Sequence, residues 1–142
     1  MPILCHLSQL VQRSAERYGD RTALQYRDYT QGRWVPISWN RFARRVEQTS
    51  RSLIALGVGV QDNVAVFSQN KPESLFVEFG AFSVRSVLIP FYATSSGAQV
   101  QYMVNDAKIR VVFVGEQQQY DVVWSVMSLC HCLEHIVIFD RT

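Results

Sequence analysis

Four groups of residues in this chain have types and spacings that could do chemistry. Thr94-Ser95-Ser96-Gly97 offers hydroxyls and a glycine backbone of the kind that cradles phosphate. Cys130-His131-Cys132, with His135 close behind and Cys5-His6 at the other end, offers soft donors for zinc. Arg41, Arg44, Arg45 and Arg51 recur at helical spacing as a cationic stripe. Lys71 and Lys108 are the only lysines among the fourteen basic residues, so any step that needs an ammonium has two candidates.

Each group also has a structural reading. Ala98-Gln99-Val100 follows Gly97 and no lysine comes before Lys108, so Ser95 or Ser96 reads as a helix N-cap and not as part of a nucleotide site. Structural zinc sites usually space a cysteine pair by about two to four residues, whereas C-x-C points its thiols to different sides of a helix. The expectation is a helix end that packs Cys130 into the core, with no metal. The arginine stripe lacks aromatic interleaving and reads as a solvated helix face. The net charge of +2 is too small to imply nucleic acid or an anionic membrane as partner. Trp34, Trp39 and Trp124 are expected to supply area to the core or to a subdomain interface. No catalytic, cofactor-binding or metal-binding residue is assigned.

The elements that would position these groups follow from composition and rhythm. Hydrophobic residues make up 48% of the 142 and charged residues 18%, which fits a well-buried α/β domain. Three cysteines, Cys5, Cys130 and Cys132, without framework spacing point to a reduced, cytoplasmic compartment. The opening Met-Pro-Ile-Leu-Cys-His lacks the basic and apolar regions of a signal peptide. No apolar run approaches the roughly 18 residues of a membrane span, and Glu78 interrupts the most apolar helix, Leu75 to Val84.

Residues 1–62 read as a helix from Leu7 to Tyr18, a hairpin of Ala23 to Tyr26 and Arg33 to Ser38, and a long helix capped by Ser38 and running to about Leu56. Phe42, Val46, Leu53 and Leu56 form its apolar stripe. Residues 63–142 read as repeated β-α units. Strands at Val64 to Phe67, Val87 to Ile89, Arg110 to Val114 and Ile136 to Phe139 alternate with helices at Pro72 to Val84, Gly97 to Asp106 and Gln118 to about His131. Near-continuous β-branched strands between such helices predict a parallel sheet with helices on both faces. Gly80 is expected to let the helix Leu75-Phe76-Phe79-Phe82 approach that sheet. Asp140-Arg141-Thr142 follows the last strand directly, so the chain reads as truncated, with apolar surface that favours self-association.

The stretch from Leu56 to Pro90 resembles the N-terminal part of the adenylate-forming, AMP-binding enzymes, and within them the long-chain fatty-acid–CoA ligases (acyl-CoA synthetases). The resemblance rests on Leu56-Gly57-Val58, Asp62, Val64-Ala65-Val66-Phe67, Ser68-Gln69-Asn70-Lys71-Pro72-Glu73 and Val87-Leu88-Ile89-Pro90. Phe91-Tyr92-Ala93-Thr94-Ser95-Ser96, Tyr102 to Ala107 and Val112-Phe113-Val114-Gly115 resemble the long-chain branch. Two departures stand out. Gln61 occupies a place where the family has Gly and is expected to alter the turn. Arg85-Ser86 replaces Ala-Gly and is expected to put bulk between helix and strand.

The resemblance implies the fold, an α/β partial N-terminal subdomain of the adenylate-forming enzymes preceded by a helix and a small hairpin. It also implies a parent enzyme in which a fatty acid attacks ATP to give acyl-adenylate and pyrophosphate, before coenzyme A displaces AMP. ATP, Mg²⁺ and coenzyme A are thereby implied for the full-length enzyme, with none assigned to these residues. The family's phosphate loop, metal-binding Glu, ribose-binding Asp and adenylation lysine have no match here, so the segment is expected to be an inactive scaffold. A stand-alone α/β binding or interaction module without catalysis is the alternative. A generic nucleotide-binding domain is disfavoured, because no glycine-rich loop follows Val64 to Phe67.

Overall fold

The computed structural model describes residues 6–139, and a hairpin held between two helices comes first. Helix α1 (Gln9–Tyr18) stops where Gly19 turns to φ +55° and donates its N–H to the Ala15 carbonyl. Strands β1 (Thr22–Asp28) and β2 (Arg33–Ser38) pair antiparallel, with Arg27 opposite Trp34 and Asp28 opposite Arg33. The Asp28 carboxylate accepts the N–H groups of Gln31 and Thr30 across the turn, which holds it below the usual carboxylate range. Ser38 ends β2 and caps α2 (Trp39–Ala55), its hydroxyl accepting the Arg41 N–H at 3.3 Å. The expected helix, hairpin and capped helix are therefore present.

These elements close over a small core of Val11, Ile37, Phe42, Val46 and Phe76. Phe42 is its centre, 5.7 Å from the Phe76 ring and 5.6 Å from Phe79. Trp39 joins this core between Tyr18 and Phe42. Trp34 and Trp124 do not join a core: they are 59% and 61% exposed, one on the outer hairpin face and the other stacked on Tyr120 along a helix.

The remaining elements are β3 (Asn63–Phe67), α3 (Pro72–Ser83), β4 (Val87–Phe91), α4 (Gly97–Asp106), β5 (Val111–Val114), α5 (Gln117–Val126), a 3₁₀ turn at Met127–Leu129, and β6 (His135–Ile138). The strands form one parallel sheet in the order β4-β3-β5-β6. Val64, Val66, Val111 and Phe113 meet Leu53 and Val77 of α2 and α3 on one face. Ala65, Phe67, Val112 and Val114 meet Val100, Val104 and Val123 of α4 and α5 on the other. Burial on both faces explains why the strands read as continuous β-branched runs. Steps from β3 to β4 and from β5 to β6 go opposite ways along the sheet and use opposite faces, as crossovers of a single hand require.

Several expectations need correction. Gly80 does not serve a close approach to the sheet: a Cβ there would lie 2.9 Å from Thr49 Cγ2, so the glycine lets α3 press against α2. The buried residues of α3 are Phe76, Val77, Gly80 and Ala81, while Leu75 is exposed. Helix α5 does not reach His131. The Asn105 side chain donates to the Leu129 carbonyl and accepts the His131 N–H, which holds the segment after Leu129 outside helical geometry.

The turns that lead back into the sheet share one design. After α2, α3 and α4 the residue past the cap is left-handed: Gly57 (φ +77°), Arg85 (φ +61°) and Lys108 (φ +50°). In each turn the next N–H reaches back to the third-last helical carbonyl: Val58 to Leu53, Ser86 to Ala81 and Ile109 to Val104. Only the first uses glycine. Gln61 likewise takes a positive φ of 66°, so the turn keeps the conformation a glycine would allow, and its N–H donates to the Arg85 carbonyl at 2.9 Å. Arg85 points to solvent and adds no bulk between helix and strand. Ser86 occupies that place, buried, with its hydroxyl on the Ala81 carbonyl.

Candidate functional site

Parallel sheets bind ligands beyond the carboxyl ends of their strands, where the chain reverses its direction of travel across the sheet. Here the chain leaves β3 for β4 on one side and returns to β5 on the other, so the crevice lies past Phe67 and Val114. The residues there are Ser68 to Lys71 and Gly115-Glu116. Gly115 donates its N–H to the Phe67 carbonyl at 3.0 Å. A Cβ on Gly115 would lie 2.1 Å from Ser68 Oγ and 3.0 Å from Ser68 Cα, so only glycine lets the loops meet. Lys71 reaches across, its Nζ donating to the Gly115 carbonyl at 3.1 Å and lying 3.5 Å from Glu116 Oε1. The crevice is closed by these contacts, and its one ammonium is engaged within the fold.

Thr94 to Gly97 follows β4 at the same end. Ser96 is the N-cap of α4: its hydroxyl accepts the Gln99 N–H at 3.4 Å while Gln99 Oε1 accepts the Ser96 N–H at 2.8 Å. Ser95 donates its N–H to the Tyr92 carbonyl. The amides of Ser95, Ser96 and Gln99 are thus engaged within the turn and the cap. The sequence did not single out Gln119, which is 1% exposed and donates to the Ala93 carbonyl at 3.1 Å. This side chain ties the start of α5 to the loop after β4.

The described sulfur and imidazole groups form no metal-binding cluster. Cys130 is buried, and burial pushes its thiol up, away from the reactive thiolate. Cys132 is partly exposed, and no group of three metal-binding side chains forms among the described residues. Cys5 lies outside the described residues. Among the described residues these side chains gather no donor set for Mg²⁺ or zinc. Arg41, Arg44, Arg45 and Arg51 are exposed along α2, and Arg51 pairs with Glu47 one turn before it. Arg41 and Arg45 also border an open groove of about 450 Å³ whose floor includes Phe113, Val137 and Phe139. Tyr26, Thr49, Ser52 and Glu73 add polar groups to the same lining.

The other end of the sheet carries the strongest electrostatic cluster. Arg110, just before β5, makes a two-pronged contact with Glu134 (Nε to Oε1 3.0 Å, Nη2 to Oε2 2.8 Å). Its third nitrogen, Nη1, donates to Asp62 Oδ2 and to the Gly57 carbonyl, both at 2.7 Å. Asp62 is held below the usual carboxylate range first by the Gly59 N–H and then by Arg110; Glu134 is lowered chiefly by Arg110. The two carboxylates in turn push the guanidinium further up. One side chain thus joins the segments that enter β3, β5 and β6. It lies at the end opposite the ligand-binding edge, so its role is to fix the sheet.

Comparisons with known proteins agree with this geometry. A family profile described as AMP-binding enzyme matches residues 11–140. The long-chain-fatty-acid–CoA ligase ACSBG1 of Bos taurus is 25% identical over 131 residues, 92% of this chain and 18% of that protein. The long-chain-fatty-acid–CoA ligase heimdall of Drosophila melanogaster is 28% identical over 115 residues, 80% of this chain and 17% of that protein. The chain thus spans less than a fifth of the length of these relatives. Among solved structures, a fatty acyl CoA synthetase of Mycobacterium tuberculosis superposes with a TM-score of 0.82 at 18% identity, covering 94% of this chain and 26% of its own. The long-chain-fatty-acid–CoA ligase FadD1 of Archaeoglobus fulgidus gives 0.81 at 13% identity, covering 96% and 28%. At these identities the structures speak for the fold alone, and it is the expected one.

Proposed function

Because the chain belongs to the AMP-binding enzyme family, we propose that it is the N-terminal scaffold segment of an ATP-dependent long-chain fatty-acid–CoA ligase and is catalytically silent by itself. The similarity to long-chain ligases along nearly the whole chain, confined to less than a fifth of theirs, carries the reading. The closed crevice supports it. Lys71 is engaged with Gly115 and Glu116, and the Ser96 amide is engaged in a cap. In this proposal fatty acid, ATP, Mg²⁺ and coenzyme A are bound by the full-length enzyme at residues outside this segment. The segment contributes the start of the parallel sheet against which those residues dock, and its free cysteines suit a cytoplasmic setting.

The open reading frame beyond Thr142 tests the parentage. A frame that continues into a Ser/Thr/Gly-rich loop ending in lysine is the expected result. A stop codon directly after Thr142 would overturn it in favour of the stand-alone binding module.

A further inference from the structure

The two edges of the parallel sheet are built differently. At the β4 edge, Val87 donates its N–H inward to the Asp62 carbonyl at 2.9 Å. Backbone direction alternates along a strand, so Leu88 and Pro90 turn their backbone groups outward. Pro90 has no N–H to offer, and proline at an outward position keeps an edge strand from pairing. At the β6 edge, His135 and Phe139 donate inward to the Arg110 and Val114 carbonyls, at 3.2 and 3.0 Å. The same alternation points the N–H and C=O of Ile136 and Ile138 away from β5. Among the described residues no strand lies beyond β6, and no group bonds to these two residues from that side. His135-Ile136-Val137-Ile138 carries no proline, lysine or carboxylate, the usual devices that oppose pairing. Ile136 and Ile138 pack toward α4 and α5 on one face, while Val137 and Phe139 line the groove on the other.

We propose that β6 is the interface of a homodimer: the β6 strands of two copies pair antiparallel about a twofold axis at Val137, joining two parallel sheets into one continuous sheet. An antiparallel partner needs no crossover connection, and a second copy brings a strand of equal length with the same open groups. With the axis at Val137, Ile136 of one copy faces Ile138 of the other, so the outward N–H and C=O groups of both residues are satisfied. An axis one residue earlier would bring in Glu134, whose N–H already goes inward to the Arg110 carbonyl at 2.8 Å. In the proposed register Val137 meets Val137 and His135 meets Phe139, so no two like charges stand opposite each other. Pro90 closes the β4 edge, which leaves each copy one competent edge of this sheet, and pairing stops at the dimer. The paired stretch is short, so the dimer is expected to be concentration-dependent and not obligate. The inference needs no assumption about catalysis, and its failure would leave the scaffold reading standing.

Sedimentation velocity on the 142-residue chain with reductant, from micromolar to sub-millimolar concentration, tests this. A reversible monomer–dimer equilibrium without larger species is expected. Ile138→Pro removes an N–H that β5 does not use, as Pro90 does at the other edge, and should weaken dimerisation by more than about tenfold. A cross-link gives an independent readout. Cα atoms in a non-hydrogen-bonded antiparallel pair lie about 4.5 Å apart, within disulfide reach. In a chain carrying Cys5→Ser and Cys132→Ser, with Cys130 left in its buried place, Val137→Cys should give a covalent dimer on mild oxidation, joined through the two introduced thiols. Val87→Cys, on the β4 edge, should not. Far-UV circular dichroism verifies folding of each variant. A strict monomer across the range, species that grow beyond the dimer, or equal cross-linking at the two positions would overturn the proposal. So would folded Ile138→Pro that dimerises like the parent.

Discussion

The two ends of the parallel sheet are held by different forces. At the end where β3, β5 and β6 begin, Arg110 joins Asp62, Glu134 and the Gly57 carbonyl through charge-assisted hydrogen bonds. At the end where β3 and β5 finish, the loops are held by contact, with Gly115 against Ser68 and Lys71 reaching Gly115 and Glu116. The first end is a network of one guanidinium and two carboxylates, while the second is chiefly a steric fit to which the Lys71–Glu116 pair adds. At the carboxyl ends of β3 and β5 the two following loops therefore pack directly on each other.

The largest effect is expected at the steric end. Gly115→Ala places a methyl into Ser68 and should cost about 2–3 kcal/mol in urea unfolding. Adding Ser68→Gly should recover part of that loss, and a full-sized loss in the double variant would mean the loops are held by something else. Next, Arg110→Ala removes the partner of two carboxylates and should cost about 1–2 kcal/mol at neutral pH, since the side chain is only partly buried. Because Asp62 and Glu134 are lowered in the fold, their contribution is present above the usual carboxylate range and is lost as pH falls below about 4. Midpoints measured from neutral to acidic pH should therefore fall less steeply in Arg110→Ala than in the parent. Equal slopes would place the titration elsewhere.

Smaller effects refine the contrast. Ser96→Ala removes the cap of α4 and should cost about 1 kcal/mol, with no change in acid sensitivity. Lys108→Gly should stabilise by about 0.5–1 kcal/mol, because a left-handed residue with a side chain carries a penalty that glycine does not. Thermal unfolding followed by circular dichroism resolves shifts of this size.

The local parts of this arrangement were readable in the sequence. Ser38 before Trp39, Ser96 three residues before Gln99, and Pro72-Glu73 at a helix start are short-range signals, and the helices begin there. The β-branched runs marked the strands because both faces are buried. What escaped depends on residues far apart in sequence. Arg110 finds Asp62 across 48 positions and Glu134 across 24, a meeting that only the order β4-β3-β5-β6 creates. Gly80 faces Thr49 for the same reason, and Asn105 ends α5 from a neighbouring helix. The outward turn of Trp34 follows from hairpin register, which composition does not reveal. Of the candidate site, the helix N-cap within Thr94 to Gly97 was legible from the residue types. The closure of the crevice by Gly115 was not, since the Ser68 contact depends on the sheet.

The fatty-acid-dependent exchange of labelled pyrophosphate into ATP, measured on the purified chain with Mg²⁺, tests the central claim most directly. The account predicts exchange no greater than a blank without protein, across saturated and unsaturated long-chain acids. Exchange that requires both the chain and a fatty acid would contradict it, and would mean that these 142 residues form an adenylating centre.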